Sequence, residues 1–335
     1  MDHKLNQPKE LLGLGQILLS IVLLIWLLSR IGLDEVLSTL VHDHWIMVGW
    51  PFVLFQLNVW SFAPSDGILL LHSLNDRPRF GYLVYLYYIG FFANNFIPSG
   101  FGGDLVKVVS LRQSHGHGTE ALSSVVMERV TGLVGSSIIA LLALLWNMSS
   151  HTADLHLPTL LWILIFIIAL GIPAAFFIAR WSNPIGWVLR IYPNARNLPF
   201  FDKIENLVNT IHRYPMQSLA MSLLISIPFT LNLVLIQMLI ARAFDVHLPF
   251  RIFALFVPLI AIINLLPIAF NGLGLREGIY TFLFVPIGVP AATAVSMSLA
   301  FYFLRFSAGL IGGLMYAFKV VIQLVHPRNR TSHKG

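Results

Sequence analysis

The sequence predicts an all-α polytopic membrane protein, and three observations support this fold class. Hydrophobic residues make up 57% of the chain and charged residues only 11%, whereas soluble domains carry about 25% charged residues. The mean hydropathy is +0.78. Apolar runs long enough to cross roughly 30 Å of hydrocarbon recur along the chain. Lipid is therefore the solvent for most of the surface. This favours one membrane domain over 1–335, although length alone would suggest two soluble domains.

Six apolar runs are expected to form full transmembrane helices. The first run, 11–28, follows Lys4 and Lys9 as the core of a signal peptide would. It is long for such a core and lacks a small-residue cleavage site, so we expect it to remain as a spanning helix. The other five runs are 45–72, 121–147, 158–179, 216–241 and 292–318.

Two further apolar segments, 81–103 and 251–288, are interrupted in the middle by Asn, Pro and several Gly. Backbone opened in this way cannot face lipid, because each unpaired N–H or C=O group there costs several kcal/mol. We therefore expect both segments to pack inside the protein or to line a wet cavity.

The positions of the basic residues favour re-entrant segments over full spans. If both broken segments return to the side from which they enter, most of the 21 Lys and Arg residues lie on the cytoplasmic side, as the positive-inside rule requires. If both cross, the basic loop 180–213 moves outside. The prediction is thus two re-entrant segments with both termini in the cytoplasm. The first half covers about 45–180 and the second about 216–318, joined by an amphipathic linker over about 181–215 and followed by a cytoplasmic tail, 319–335.

Charge and motif content narrow the function classes. The net charge of +6 and the pI of about 9.7 agree with basic cytoplasmic loops, so no nucleic-acid partner is expected. The chain has no cysteine, which excludes disulfides and thiolate metal sites. Phosphate-loop, zinc-protease, hydrolase and dinucleotide motifs are absent from the sequence. We therefore expect no cofactor, no metal, no ATP hydrolysis and no catalytic site.

The two broken segments share the pattern N-x-x-P-x-x-F-x-G. It places Asn95 on Asn264, Pro98 on Pro267, Phe101 on Phe270 and Gly103 on Gly272. Three full spans separate the segments, and an odd number of spans inverts the second copy relative to the first. Paired broken segments in inverted halves are typical of a transporter's binding site. Simple helix kinks are the alternative interpretation.

Ionisable residues at membrane depth cost about 2.5–3.5 kcal/mol each and indicate function by default. Arginine binds phosphate through two parallel hydrogen bonds, so Arg129, Arg276 and Arg305 are expected to bind an anion, with Glu128 and Glu277 offsetting their charge. A structural salt bridge to another helix is the alternative for each, and helix capping is the alternative for Asp104.

Asp66 lies near the cytoplasmic end of its span, where a structural role is expected. The predicted substrate-binding residues are Asn95, Pro98, Gly102, Gly103, Asp104, Lys107, Glu128, Arg129, Asn264, Asn271, Gly272, Gly274, Arg276, Glu277 and Arg305.

Three stretches of the chain resemble a known family. NNFIPSGFGGDLVKVVSLRQ, MERVTGLV and LPIAFNGLGLREGIYTFLFVPIGVPAATA are similar, in this order, to signatures of the lysylphosphatidylglycerol synthase transmembrane region, or flippase-like domain, family. The chain departs from the pattern at Ser99-Gly100-Phe101 and at Lys107, where arginine is common. The resemblance implies a multi-pass protein of the bacterial inner membrane, akin to the lipid-flipping part of these synthases. Since an aminoacyl-transferase domain would follow the membrane part and the chain ends at Gly335, no synthase activity is expected.

The leading functional hypothesis is a lipid translocase that moves a phospholipid or an isoprenoid-phosphate-linked lipid between leaflets without ATP. A second hypothesis is a membrane enzyme for lipid-linked phosphate or sugar, with Asp104 and Glu277 as catalytic residues. A third is a non-catalytic partner of a lipid-synthesising enzyme. A transporter of small soluble anions is also physically allowed.

Overall fold

The computed structural model describes residues 45–97, 101–116, 118–149, 159–192, 201–265 and 272–325, together with single positions between 193 and 200. All regular structure within these ranges is helical. The predicted span 11–28 and the end of the predicted tail lie outside the described residues.

The helices are named here in chain order. They are α1 (Trp45–Leu57), a π-helical segment (Asn58–Phe62), α2 (Ala63–Ser73), α3 (Phe80–Asn94), α4 (Gly102–His115), α5 (Gly118–Ser149), α6 (Thr159–Trp181), α7 (Pro184–Ile191), α8 (Phe201–Arg213), α9 (Met216–Ala243), α10 (Phe250–Asn264), α11 (Leu275–Phe284) and α12 (Ala291–Val325).

The long helices confirm the predicted class of all-α polytopic membrane protein. Among the described residues, four helices are long and apolar enough to cross a membrane, over 118–149, 161–181, 216–243 and 291–322. The predicted span 45–72 is filled by α1, the π-helical segment and α2, which follow one another without a break. Asn232 of α9 donates to the Leu54 carbonyl at 2.8 Å, which satisfies a backbone acceptor at the irregular turn.

The first broken segment folds as a helical hairpin, because α3 and α4 lie side by side in opposite directions. Near the turn, the Gly103 amide donates to Asn94 Oδ1 at 2.8 Å. At the other end, the Tyr82 and Ser114 hydroxyls are 2.8 Å apart. A Cβ atom on Gly103 would lie 2.9 Å from the carbonyl oxygen of Gly90. The close approach of the two half-helices therefore depends on glycine.

The second broken segment folds back in the same way through α10 and α11. The rings of Phe256 and Phe284 meet edge to face, with centroids 5.3 Å apart. The turn ends on Gly272 and Gly274, whose φ angles of 76° and 79° are ones that side-chain-bearing residues rarely adopt. Residues 98–100 and 266–271, within the two turns, lie outside the described part.

The same order of elements occurs twice. A long helix, two half-helices and a second long helix are formed first by α1–α2, α3, α4 and α5, and again by α9, α10, α11 and α12. The turn after the first helix is also the same in both sets, with positive φ angles of 63° at Asn75 and 58° at Asp245.

The first half-helix of each set packs on the last long helix of the other set, α3 on α12 and α10 on α5. On α12, Gly309 lies against Asn95 and Gly312 against Tyr88 of α3. Residue numbers therefore rise along α3 as they fall along α12, and the two helices are antiparallel. The chain reverses direction twice between α3 and α5, so these two helices are parallel, and the same holds for α10 and α12. Equivalent helices of the two sets therefore run in opposite directions.

The linker predicted to be amphipathic, over about 181–215, contains the helix α8. Val208 and Ile211 pack in a buried cluster with Phe176 and Ala179 of α6. Ile204 lies one turn before Val208, on the same apolar face, and is exposed. The apolar face of α8 is therefore divided between the protein interior and its outer surface.

Candidate functional site

A cavity of about 400 Å³ lies where the two hairpins meet. The α3–α4 hairpin, the α10–α11 hairpin and the helices α1, α5, α9 and α12 all contribute to its wall. Its polar lining consists of Tyr87, Asn94, Asp104, Lys107, Glu128, Arg129, Gln237, Asn264, Tyr280 and Arg305. Residues far apart in the sequence are thus brought to one chamber inside the membrane domain.

One side of the cavity is formed by an ion pair between Lys107 of α4 and Glu128 of α5. The Tyr87 hydroxyl donates to Glu128 Oε2 at 2.5 Å and accepts from Lys107 Nζ at 2.9 Å. The Ser124 hydroxyl donates to Glu128 Oε1 at 3.2 Å. Lys107 is only 3% exposed, so its charge is held in place by these partners and directed at the cavity.

A second ion pair joins the same two helices closer to the turn. Arg129 Nε donates to Asp104 Oδ2 at 2.5 Å, and the guanidinium stacks 4.3 Å above the ring of Phe101. Asp104 also sits in the first turn of α4, where the helix dipole favours a negative charge. Both side chains of this pair are partly exposed, so a ligand in the cavity can reach them.

Sequence neighbours Glu128 and Arg129 thus have different partners, as the helical spacing predicts. Both partners lie on α4, three residues apart. The salt bridges that were the structural alternative are therefore present, and they line the cavity as well.

Arg305 of α12 faces the cavity from the opposite side. No hydrogen bond or ion pair joins its guanidinium to another residue of the described part of the chain. Among the described residues, the lining then holds three cationic groups (Lys107, Arg129, Arg305) and two carboxylates (Asp104, Glu128). The chamber therefore has one positive charge more than its own carboxylates balance, which suits an anionic ligand.

Arg276 and Glu277 are placed differently from the prediction. They are 1% and 0% exposed and pair with each other at 3.0 Å, with Ser298 of α12 bridging them. Glu277 Oε2 accepts the Gly274 amide at 2.7 Å. These two residues therefore stabilise the turn at the start of α11 from behind the cavity wall.

The other predicted residues divide in the same way. Gly103 and Gly272 line the cavity, while Gly102 is the first residue of α4 and Gly274 belongs to the turn before α11. Asn95 lies against Gly309 and does not line the chamber. Pro98 and Asn271 are outside the described residues.

Sequence reasoning missed two groups of lining residues. Tyr87, Gly90, Phe91 and Asn94 all line the cavity, and their i, i+3, i+4, i+7 spacing marks one helical face. This periodicity could have identified Asn94 in place of Asn95. Gln237, an uncharged polar residue inside an apolar span, lines the cavity together with Tyr280 of α11. These two residues are on different helices, so no local spacing in the sequence indicates that they meet.

Comparison with known proteins agrees with this architecture. The chain matches the model of the lysylphosphatidylglycerol synthase TM region over residues 13–313. It is also 25% identical over 277 residues to a UPF0104 membrane protein of Methanothermobacter thermautotrophicus, an alignment that covers 74% of this chain and 77% of that protein. The resemblance seen in the sequence is thereby confirmed over most of the chain. This membrane protein belongs to the lysylphosphatidylglycerol synthase TM region family.

Proposed function

We propose that this protein moves an anionic membrane lipid between the two leaflets, with the phosphate headgroup passing through the cavity between the hairpins. The observation that supports this most is the Arg305 guanidinium, which faces the chamber without a counter-ion in the described structure. A phosphate would supply that counter-ion, and guanidinium binds phosphate with two parallel hydrogen bonds.

The surroundings of the cavity favour a lipid over a soluble anion. A groove of about 280 Å³ lies on the other side of the α10–α11 hairpin, between α6 and the two half-helices, and its lining is apolar. Ile263 lines the groove and Asn264 lines the cavity. An amphiphile at this hairpin would therefore find polar partners on one face and apolar partners on the other.

The opposite directions of the two helix sets support an inverted repeat with two re-entrant hairpins, one from each face of the membrane. Such pairs form the sites of many transporters near the bilayer midplane. In this arrangement the protein lies in a bacterial inner membrane with both termini in the cytoplasm. No ATP is required, because outward movement of one negative charge gains about 2.3 kcal/mol per 100 mV when the cytoplasm is negative.

The enzyme hypothesis has less support from the geometry. It needs Asp104 and Glu277 to act on one substrate, but Glu277 is fully buried and holds the Gly274 amide. No surface formed by the described residues favours the hypothesis that this protein is a non-catalytic partner of a lipid-synthesising enzyme.

Transbilayer movement of a fluorescent phosphatidylglycerol in proteoliposomes tests the proposal. Arg305→Gln removes the unpaired charge and should slow movement roughly tenfold to a hundredfold, since hydrogen bonds to charged groups contribute about 1.5–3 kcal/mol. Arg305→Lys should retain part of the rate. Arg242→Gln, at an exposed position outside the cavity, is the matched control. Wild-type rates in Arg305→Gln would contradict the proposal.

A further inference from the structure

Asp66 of α2 is a buried carboxyl that the proposed headgroup site does not use. It is 8% exposed and does not line the cavity. Within the described part of the chain, its Oδ1 atom has no hydrogen-bond partner. A carboxylate left in this state is unfavourable at membrane depth, because desolvation of an unpaired charge costs far more than that of a neutral carboxyl group.

The charges around Asp66 do not balance a second carboxylate. Lys107 of α4 and Glu128 of α5 are its charged neighbours, and Tyr87 of α3 and Tyr214 ahead of α9 complete the titratable groups that interact with it. A Cβ atom on the adjacent Gly67 would lie 3.1 Å from both the Lys107 ammonium and the Glu128 carboxylate. Lys107 is therefore close to Asp66 but is already paired with Glu128.

The hydroxyl groups of Thr131 and Ser222 donate their protons to partners other than Asp66. The Thr131 hydroxyl donates to the Met127 carbonyl at 2.9 Å, and the Ser222 hydroxyl donates to Thr131 at 2.8 Å. Ser222 has then used its one proton. These hydroxyl groups therefore supply no proton to an Asp66 carboxylate, and its Oδ1 atom is left without a donor among the described residues.

We propose that Asp66 is a proton-binding site, and that its proton favours binding of the anionic headgroup in the neighbouring cavity. When the proton leaves to solvent, the Asp66 carboxylate competes with Glu128 for Lys107 and repels a phosphate that Lys107 would otherwise attract. By linkage, headgroup binding must in turn strengthen proton binding at Asp66. The coupling rests on the proposed function, whereas the proton site does not.

The test for coupling is the pH dependence of binding of dihexanoyl phosphatidylglycerol to the purified full chain, measured by titration calorimetry. The phosphodiester of this lipid does not titrate near neutral pH, so a change in affinity reports on the protein. Wild-type affinity should fall about fivefold or more as the pH is raised, the lower end of ordinary coupling between two sites. In Asp66→Asn, whose amide is neutral as the protonated carboxyl is, affinity should stay high and lose this dependence.

The control is Asp202→Asn, at an exposed position of α8, which should keep the wild-type pH profile. An unchanged profile in Asp66→Asn overturns the coupling. Infrared difference spectroscopy on a pH change should show a protonated-carboxyl band that is missing in Asp66→Asn. Absence of that band from the wild type overturns the proton site. If the band is present but no lipid binds at any pH, the proposed function and the coupling fail while the proton site stands.

Discussion

Two ion pairs of this protein have similar chemistry and different surroundings. Arg129 and Asp104 are partly exposed at the cavity, whereas Arg276 and Glu277 are enclosed behind its wall. Arg129 can exchange Asp104 for a ligand, because solvent and ligand reach this pair. The second pair cannot do so without leaving a buried charge alone, so its role is to hold the turn at the start of α11.

Glu277→Gln should therefore destabilise the protein strongly. The substitution leaves the Arg276 guanidinium buried without a carboxylate, and breaking a buried pair in this way costs about 3–5 kcal/mol. Asp104→Asn breaks the exposed pair and should cost less than about 1 kcal/mol. Denaturant unfolding of both variants in the same detergent measures the difference. Equal losses of stability would show that the two pairs have the same role.

The sequence located the charged residues at membrane depth but could not distinguish their roles. Arg129, Arg276 and Arg305 are chemically equivalent in the sequence. In the folded protein they differ in their partners. Arg129 pairs with Asp104, and Arg276 contacts Ser298 and Glu277. Arg305 has no hydrogen-bond or ion-pair partner among the described residues. Contacts such as that of Arg276 with Ser298 join two helices, and no helical spacing predicts them.

At the scale of elements, the lengths of the helices follow from apolar runs and from breaks at Asn, Pro and Gly. The five predicted spans within the described residues appear close to their expected bounds, as does the second broken segment. The first broken segment was expected over 81–103, but its second half-helix continues to His115. The alignment of the two copies differs from the prediction. The prediction placed Asn95 on Asn264, but α3 ends at Asn94 and α10 ends at Asn264. The turns that follow have unequal lengths, 95–101 and 265–274, so one alignment offset cannot fit both half-helices of each hairpin.

The apolar groove beside the α10–α11 hairpin gives a prediction for this element. Gly278 lines the groove, and a Cβ atom there would meet nothing within 4 Å. Gly278→Phe should fill the groove without displacing the helices. If the groove holds a lipid tail, movement of the fluorescent anionic lipid should slow several-fold, because about 0.8 kcal/mol is lost for each methylene group no longer buried.

The matched control for the groove is Gly171→Phe. Gly171 is on the exposed surface of α6, and its Cβ would also meet open space. This variant should move lipid at the wild-type rate. Equal rates in the two variants would show that the tail does not use the groove.

At the scale of the whole molecule, the opposite directions of the two helix sets predict opposite access to the two hairpins. The chain has no cysteine, so single cysteines can be introduced without a background. Cysteines over 95–104 should react with an impermeant reagent from the cytoplasmic side, and cysteines over 264–274 from the other side. Labelling of both sets from one face would contradict the inverted repeat.

The central claim is that the cavity selects a negatively charged lipid headgroup and passes it between leaflets. The most direct measurement compares transbilayer movement of fluorescent phosphatidylglycerol and phosphatidylcholine in the same preparation of proteoliposomes. One uncompensated positive charge in the chamber predicts that the anionic lipid moves about tenfold faster or more, a difference of about 1.4 kcal/mol. Equal rates for the two lipids, or no movement beyond that in protein-free vesicles, would contradict the claim.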